Sequence, residues 1–261
     1  MDTFIHGFNI NINTPPIFNV NNFYDFLSEN GYAFIQNAFN VDLLYRNREL
    51  TNIINNFSNT VVNETLRQNI THNKDISEFI HTSSLVSSLK KYIAPLFCQE
   101  FCFIRKKKNA PGTRIHRDGD DTFLKNNKSI NFGIYKNKNQ FVYTVWVALF
   151  DVQINNSSIC FLDYKKENIK IENYWVNDIA KILNEKKFLE NHSIWEGRNI
   201  KKGDAVIFSS DIVHASTDCI EGVRSSLDFR LSNVDYKELL FLDHNTMVYK
   251  ENTINKDYFI L

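Results

Sequence analysis

The sequence predicts a mainly β fold, an antiparallel sandwich of short strands with helices packed on its outside. Segments with helical spacing of apolar residues come before Cys98. After Cys98, short runs rich in β-branched and aromatic residues alternate with turns at steady spacing. The chain has 261 residues, 43% of them hydrophobic and 22 of them Phe, which suits a single domain with a sizeable core.

The N-terminal part, 1–97, is expected to be mostly helical. We expect helices over about 22–29, 42–57 and 83–96, and a short buried strand over 32–35. Asn21 or Asn22 caps the first helix and Gly31 ends it. Asn40 or Asp42 starts the second helix, where leucines and isoleucines recur at helical spacing.

The β core is expected over 98–234. Its strands are predicted over 101–106, 112–116, 129–135, 141–150, 158–163, 205–209 and 223–234. Residues 165–195 are polar and partly helix-like, which indicates an insertion over one sheet, and 235–261 form a C-terminal extension.

Composition and charge argue against several classes of function. Thirty basic and thirty acidic residues cancel, so we expect neither nucleic acid nor a membrane surface as a partner. The basic run 105–108 is expected to be a solvated strand end or loop. The N-terminus does not resemble a secretory signal, and four cysteines without a CxxC pair indicate buried thiols in a reducing cytoplasm rather than a zinc site. Glycine-rich phosphate loops are absent from the sequence.

The triplet His116-Arg117-Asp118 and the distant His214 form a candidate metal site. On an extended segment the side chains of His116 and Asp118 point to the same face, because strand side chains repeat every two residues. A third ligand then has to come from a facing strand, which suits His214. Two histidines and one carboxylate are the set that holds ferrous iron with positions left open.

A cation and a hydroxyl follow the second histidine. Arg224 can pair with a carboxylate through two hydrogen bonds, and Ser226 shares its face of the strand. Together with the metal set, this pair predicts an iron- and 2-oxoglutarate-dependent oxygenase. Arg230 has the same strand parity and is a rival anchor, and an ordinary salt bridge of Arg224 is the simpler alternative.

Four stretches of the sequence resemble the phytanoyl-CoA dioxygenase family of 2-oxoglutarate oxygenases, especially its bacterial small-molecule hydroxylases. They are FYDFLSENGYAFIQNAF, HRDGD, YTVWVALFDVQINNSSICFL and GDAVIFSSDIVHASTD with the following GVRSSLDFRL. The resemblance implies a double-stranded β-helix, that is, a cupin-like jelly-roll core. It also implies that His116, Asp118 and His214 bind Fe(II), and that Arg224 and Ser226 hold the distal carboxylate of 2-oxoglutarate.

The resemblance further implies the reaction. Thr144 and Trp146 are expected to line the 2-oxoglutarate pocket. The cosubstrates 2-oxoglutarate and O2 would give succinate and CO2, with hydroxylation of a small molecule in a cytoplasmic biosynthetic role as the default outcome. Candidate substrate contacts are Asp120, Asp121, Arg117 and Arg230, although loop carboxylates and packing are the simpler interpretations of the first three.

Two other functions remain open from the sequence. A non-catalytic jelly roll that binds a ligand would consume no oxygen. A metal-dependent hydrolase or isomerase on the same sandwich would work without 2-oxoglutarate. The substrate, the oligomeric state and the choice between hydroxylation, desaturation and ring formation are not readable from the sequence.

Overall fold

A computed structural model gives the fold of the chain. It describes residues 4–5, 8–9, 12–13, 16–56, 73–93, 97–113, 118, 122–124, 142–153, 155–162, 194–197, 199–209, 212–233, 239–243, 248–251 and 259–260.

Short strands dominate the described chain. The strands are β1 Phe4–Ile5, β2 Phe8–Asn9, β3 Ile12–Asn13, β4 Ile17–Phe18, β5 Tyr32–Ile35, β6 Phe97–Lys107, β7 Thr122–Leu124, β8 Val142–Ala148, β9 Ile159–Leu162, β10 Ile194–Glu196, β11 Ala205–Ser209, β12 His214–Ser216, β13 Val223–Ser232, β14 Leu239–Asp243, β15 Val248–Glu251 and β16 Phe259–Ile260. The helices are α1 Tyr24–Asn30, α2 Asp42–Tyr45, α3 Arg48–Asn56, α4 Lys74–His81 and α5 Ser84–Leu89.

Two sheets form the sandwich. The large sheet has seven strands in the order β16-β6-β13-β8-β11-β5-β4, and the small sheet has four in the order β12-β9-β10-β3. They face each other through aromatic side chains: the Tyr32 ring of the large sheet stacks on Phe161 of the small sheet at 4.9 Å. The mainly β fold with flanking helices is therefore confirmed. The terminal parts of the chain also join these sheets, since β3, β4 and β16 pair with core strands.

The helices cover the outer face of the large sheet. Leu27 of α1, Phe79 of α4 and Leu85 of α5 are fully buried in one cluster with Val145 and Leu227 of the sheet. Burying an apolar side chain of this size stabilises the fold by about 1.5–3 kcal/mol. The larger core of the molecule thus lies beneath the helices, and the second apolar cluster lies between the sheets.

The first predicted helix begins at a different residue in the structure, and the second is interrupted. Helix α1 ends at Gly31 in the left-handed conformation as predicted, but its N-cap is Phe23 rather than an asparagine. The expected helix 42–57 is two helices. The side chain of Asn47 accepts hydrogen bonds from the backbone N–H groups of Glu49 and Leu50, which caps a new helix in the middle of the segment.

The third predicted helix is shorter than expected, since α5 ends at Leu89. Ser83 caps it by accepting from the Val86 backbone N–H, and α4, which was not predicted, precedes it. The strand predicted over 129–135, and the insertion 165–195 except its last two residues, lie outside the described residues. The boundaries of the single domain stay a prediction. In the parts of the chain that the structure describes, every helix is too short or too polar to cross a membrane.

Candidate active site

The candidate site lies on the inner face of β8 and β13, between the two sheets. Side chains of a strand alternate between its two faces. Val145 of β8 and Leu227 of β13 pack beneath the helices, so the even-numbered side chains point toward the small sheet. This inner face carries Thr144, Trp146, Arg224, Ser226, Asp228 and Arg230.

His214 enters the site from the opposite sheet. It begins β12, which pairs with β9, so it does not belong to the large-sheet strand β11 that precedes it. The side chain is buried and packs on the Phe208 ring at 4.5 Å. Its Nδ1 lies 2.9 Å from the Ile212 carbonyl oxygen. An N–H on Nδ1 that donates to this carbonyl leaves Nε2 as the nitrogen with a lone pair, which is the tautomer that a metal requires.

The Asp118 carboxylate meets His214 from the other side of the site. Its Oδ1 lies 3.8 Å from His214 Nε2. Two ligand bonds of about 2.1 Å each can span this separation, so one ion can contact both atoms. Imidazole and carboxylate are ligands that suit ferrous iron, and the two residues therefore fit part of an iron site.

The second oxygen of Asp118 faces the large sheet. Oδ2 accepts hydrogen bonds from Thr144 Oγ1 at 2.6 Å and from Arg230 Nη1 at 2.6 Å. Arg230 also donates to Thr144 Oγ1, so the three side chains form a closed set. The two oxygens of one carboxylate thus have separate surroundings, one toward His214 and one toward the sheet.

A buried cation lies further along the inner face of β13. Arg224 is 2% exposed, and its Cζ lies 5.6 Å from the centroid of the Trp146 ring. Ser226 is fully buried at the next position on the same face. Among the described residues Trp146 Nε1 is buried and has no hydrogen-bond partner. A buried guanidinium, a hydroxyl and an indole N–H suit a carboxylate such as that of 2-oxoglutarate.

A second network joins the segment before the triplet to β12. Lys106 Nζ donates to the Pro111 carbonyl, to Thr113 Oγ1 and to Ser216 Oγ, at 3.1, 3.1 and 2.7 Å. Two further hydrogen bonds join Thr113 and Ser216: the Ser216 N–H donates to the Thr113 carbonyl at 3.1 Å, and the Thr113 N–H donates to the Ser216 side-chain Oγ at 2.7 Å. Gly112 permits this contact, because a Cβ there would lie 2.0 Å from the Ser216 carbonyl oxygen.

Lys106 corrects the expectation of a solvated basic run. Lys107 and Lys108 are exposed, but Lys106 is 3% exposed. Burial, and then the positive charge of Arg224, hold the pKa of the Lys106 ammonium well below its usual value.

Comparison with known proteins assigns the family. A sequence model described as "Phytanoyl-CoA dioxygenase (PhyH)" matches residues 25–219. The chain belongs to the phytanoyl-CoA dioxygenase family. The match ends before Arg224, so it does not cover Arg224, Ser226 or Arg230.

Several solved structures have a similar fold. The carbocyclase SnoK from nogalamycin biosynthesis is 13% identical, with a TM-score of 0.60 and coverage of 91% of this chain and 94% of that one. The epimerase SnoN in complex with Fe3+, α-ketoglutarate and nogalamycin RO is 12% identical, with a TM-score of 0.52 and coverage of 85% of both chains. HygX from Streptomyces hygroscopicus, with nickel, 2-oxoglutarate and hygromycin B bound, is 14% identical, with a TM-score of 0.55 and coverage of 80% and 85%. No curated protein matches the chain.

The family and these folds bear out the expected jelly-roll core. Membership of the family bears out the expected cofactors, iron and 2-oxoglutarate. The family supports an oxygenase-like enzyme that uses 2-oxoglutarate. Of the site residues predicted for this phytanoyl-CoA dioxygenase family chain, the structure brings Asp118, His214, Thr144 and Arg230 together and groups Arg224, Ser226 and Trp146 beside them. His116, Arg117, Asp120 and Asp121 lie outside the described residues.

Asp228 was not among the site residues predicted from the sequence. It lies between Arg224 and Arg230 on the inner face of β13 and opposite Trp146 on β8. Burial raises the pKa of its carboxyl to about 6 and the Asp118 charge adds to the rise, whereas Arg224, Ser226 and Arg230 oppose it. Strand parity with Arg224 was the signal that could have identified it.

Proposed function

We propose that the chain is an Fe(II)- and 2-oxoglutarate-dependent oxygenase that hydroxylates a small molecule, with release of succinate and CO2. In this proposal His116, Asp118 and His214 bind the iron. Arg224 and Ser226 bind the distal carboxylate of 2-oxoglutarate beside Trp146.

The short distance between the Asp118 and His214 side chains is the main observation in support of this proposal. The two residues come from distant parts of the chain, yet Oδ1 and Nε2 lie 3.8 Å apart inside the sandwich. The contacts of Thr113 with Ser216 support the third ligand, because they hold the segment that leads to His116 alongside β12. His116 is only three residues further along the chain than Thr113.

The surroundings of the two arginines favour Arg224 over Arg230 as the 2-oxoglutarate anchor. Arg230 Nη1 donates to the Asp118 carboxylate. Arg224 is the more deeply buried arginine and lies beside the indole of Trp146, whose N–H is a second donor for a carboxylate. In a buried site the guanidinium can bind both oxygens of a carboxylate at once.

Each of the site residues then has a separate role. His214 is held as an Nε2 ligand by the Ile212 carbonyl, and Arg224 orients the cosubstrate. Phe161 and Phe208 pack against the imidazole and limit the access of water. When bound, iron with 2-oxoglutarate supplies the oxidising chemistry, in which O2 gives one oxygen atom to succinate and the other to the substrate as a hydroxyl.

The substrate is proposed to be a small molecule. The bound molecules named for similar folds, nogalamycin RO and hygromycin B, are small molecules, which supports an amino-acid-like or secondary-metabolite substrate and a biosynthetic role. Arg117, Asp120 and Asp121 stay candidates for substrate contacts. Buried free thiols at Cys98, Cys160 and Cys219 fit the proposed cytoplasmic location.

Uncoupled turnover tests the enzyme class without a known substrate. We expect the protein with Fe(II), 2-oxoglutarate and O2 to form succinate slowly, and His214→Ala and Asp118→Ala to lower this rate by at least about 100-fold, since each removes a proposed metal ligand. His81→Ala is the matched control, because His81 is exposed on α4. A His214→Ala protein with full succinate formation would remove that residue from the site.

Product analysis with candidate substrates separates hydroxylation from other outcomes. A product with one additional oxygen atom supports the proposal. Loss of two hydrogen atoms indicates desaturation or ring formation, and an unchanged mass with altered stereochemistry indicates epimerisation. Either result would overturn hydroxylation but would leave the proposed metal site in place.

A further inference from the structure

We propose that Arg230 and Thr144 form a clamp that fixes the carboxylate of Asp118, so that only Oδ1 is presented to the metal. The inference rests on the proposed function, because it concerns the metal ligand named there. It makes both residues positioning residues, a role different from the cosubstrate and substrate contacts expected from the sequence.

Strand pairing places the clamp. Arg230 of β13 and Thr144 of β8 are directly opposite each other in an antiparallel pair. Both side chains therefore leave the same face of the sheet at the same height, and residues directly opposite in such a pair have Cβ atoms about 5 Å apart. The backbone of the large sheet, rather than a flexible loop, sets the position of both donors.

Two hydrogen bonds tie the clamp to the carboxylate, and a third joins the two clamp residues. Asp118 Oδ2 accepts from Thr144 Oγ1 and from Arg230 Nη1, both at 2.6 Å, and Arg230 also donates to Thr144 Oγ1. Hydrogen bonds to a carboxylate from a guanidinium are about twice as strong as neutral ones. A carboxylate held at one oxygen in this way cannot rotate freely about its Cβ–Cγ bond, and its other oxygen keeps its direction toward His214.

Because the Asp118 side chain is buried, the clamp balances the charge of its carboxylate as well as fixing the direction of its oxygens. The Asp118 side chain is 10% exposed and that of Arg230 is 24% exposed. A buried carboxylate without a cation is costly, and the Arg230 guanidinium offsets this cost before a metal is present. The site is thereby preorganised, with Oδ1 of Asp118 facing His214 Nε2 at 3.8 Å.

Metal affinity of substituted proteins tests the clamp. Co(II) and Fe(II) are titrated anaerobically into the metal-free protein, and Co(II) binding is followed by its visible absorption. We expect Thr144→Val, which keeps the shape and removes the hydroxyl, to weaken metal binding by about 10-fold to 100-fold. Arg230→Met should weaken it in the same range, and Thr144→Ser should restore affinity and the wild-type Co(II) spectrum.

Two controls separate the clamp from general damage. Arg46→Met removes an exposed arginine at the end of α2, and metal affinity should stay within about twofold of wild type. Thermal unfolding of each metal-free variant shows whether it folds. If Arg230→Met does not fold because Asp118 loses its cation, the isosteric Thr144→Val still decides the question.

The outcomes distinguish the clamp from the function on which it rests. If the wild-type protein binds metal and folded Thr144→Val binds it equally well or more tightly, the clamp is overturned and Arg230 is a competitor of the metal for Asp118. If the wild-type protein binds neither Co(II) nor Fe(II), the proposed function itself fails and the clamp fails with it.

Discussion

The carboxyl of Asp228 is held in a costly environment on the inner face of β13. Burial raises its pKa from 3.8 to about 6, although Arg224 and Arg230 lie on the same face of the strand. A carboxyl with a raised pKa favours the folded state when it is protonated, and this advantage is lost as the pH rises through about 6. Such a destabilising group beside a proposed cosubstrate site is typical of functional positions.

Replacement of this carboxyl by an amide is expected to stabilise the metal-free protein. At pH 7 the free energy of unfolding of Asp228→Asn should exceed that of wild type by on the order of 2–3 kcal/mol, because the amide carries no charge to bury. The difference should shrink as the pH falls from about 6 to about 4. Urea denaturation at several pH values measures it.

Glu29→Gln is the control for this series. Glu29 is exposed on α1, and its replacement should change stability by no more than about 0.5 kcal/mol across the same pH range. An Asp228→Asn protein as stable as wild type at pH 7 would contradict the buried, raised-pKa carboxyl.

At the scale of elements, the site depends on a contact between a loop and a strand. Gly112 lies against the Ser216 carbonyl oxygen. The Lys106 ammonium donates hydrogen bonds to the side-chain hydroxyls of Thr113 and Ser216. The loop precedes one proposed ligand, and β12 begins at another, His214. We expect this contact to help hold the two proposed ligands near each other.

A single methyl group in this contact is expected to disturb both stability and metal binding. In Gly112→Ala the new Cβ would meet the Ser216 carbonyl at 2.0 Å, so the loop has to move away from β12. We expect a loss of about 1–3 kcal/mol in the free energy of unfolding, as for overpacked sites, and weaker Co(II) binding. Lys108→Ala, at an exposed position of the same loop, should change neither quantity. Unchanged metal affinity in Gly112→Ala would show that the contact does not position the ligands.

The elements that the sequence predicted well are those with strong local signals. Strands β5, β8 and β13 are continuous runs of apolar or alternating side chains, and Gly31 ends α1 in the conformation that glycine allows. The break at Asn47 was missed, because an asparagine in a helical pattern is also compatible with an exposed helix position. Only the cap that its side chain makes in the structure decides between the two.

In the molecule as a whole, the alternation of side chains along β13 predicted which residues share the inner face of that strand. The residues from other parts of the chain that contact them are seen only in the folded structure. Strand parity with Arg224 pointed to Ser226 and Arg230. The hydrogen bond of Arg230 to Asp118 and the burial of Lys106 were not predicted, because those partners are distant in sequence and meet only when the sheets pack. Side-chain partners across a sandwich depend on register, which a single sequence does not define.

Anaerobic titration with Fe(II) and then with 2-oxoglutarate, followed through the visible charge-transfer band of the chelate, is the decisive experiment for the proposed function. We expect the band in the wild-type protein and in Arg46→Met, an exposed arginine control. In Arg224→Met we expect an affinity for 2-oxoglutarate about 30-fold or more weaker, because a buried charge partner is removed. A wild-type protein that binds Fe(II) without the band, or an Arg224→Met protein with unchanged affinity for 2-oxoglutarate, would contradict the proposed cosubstrate site.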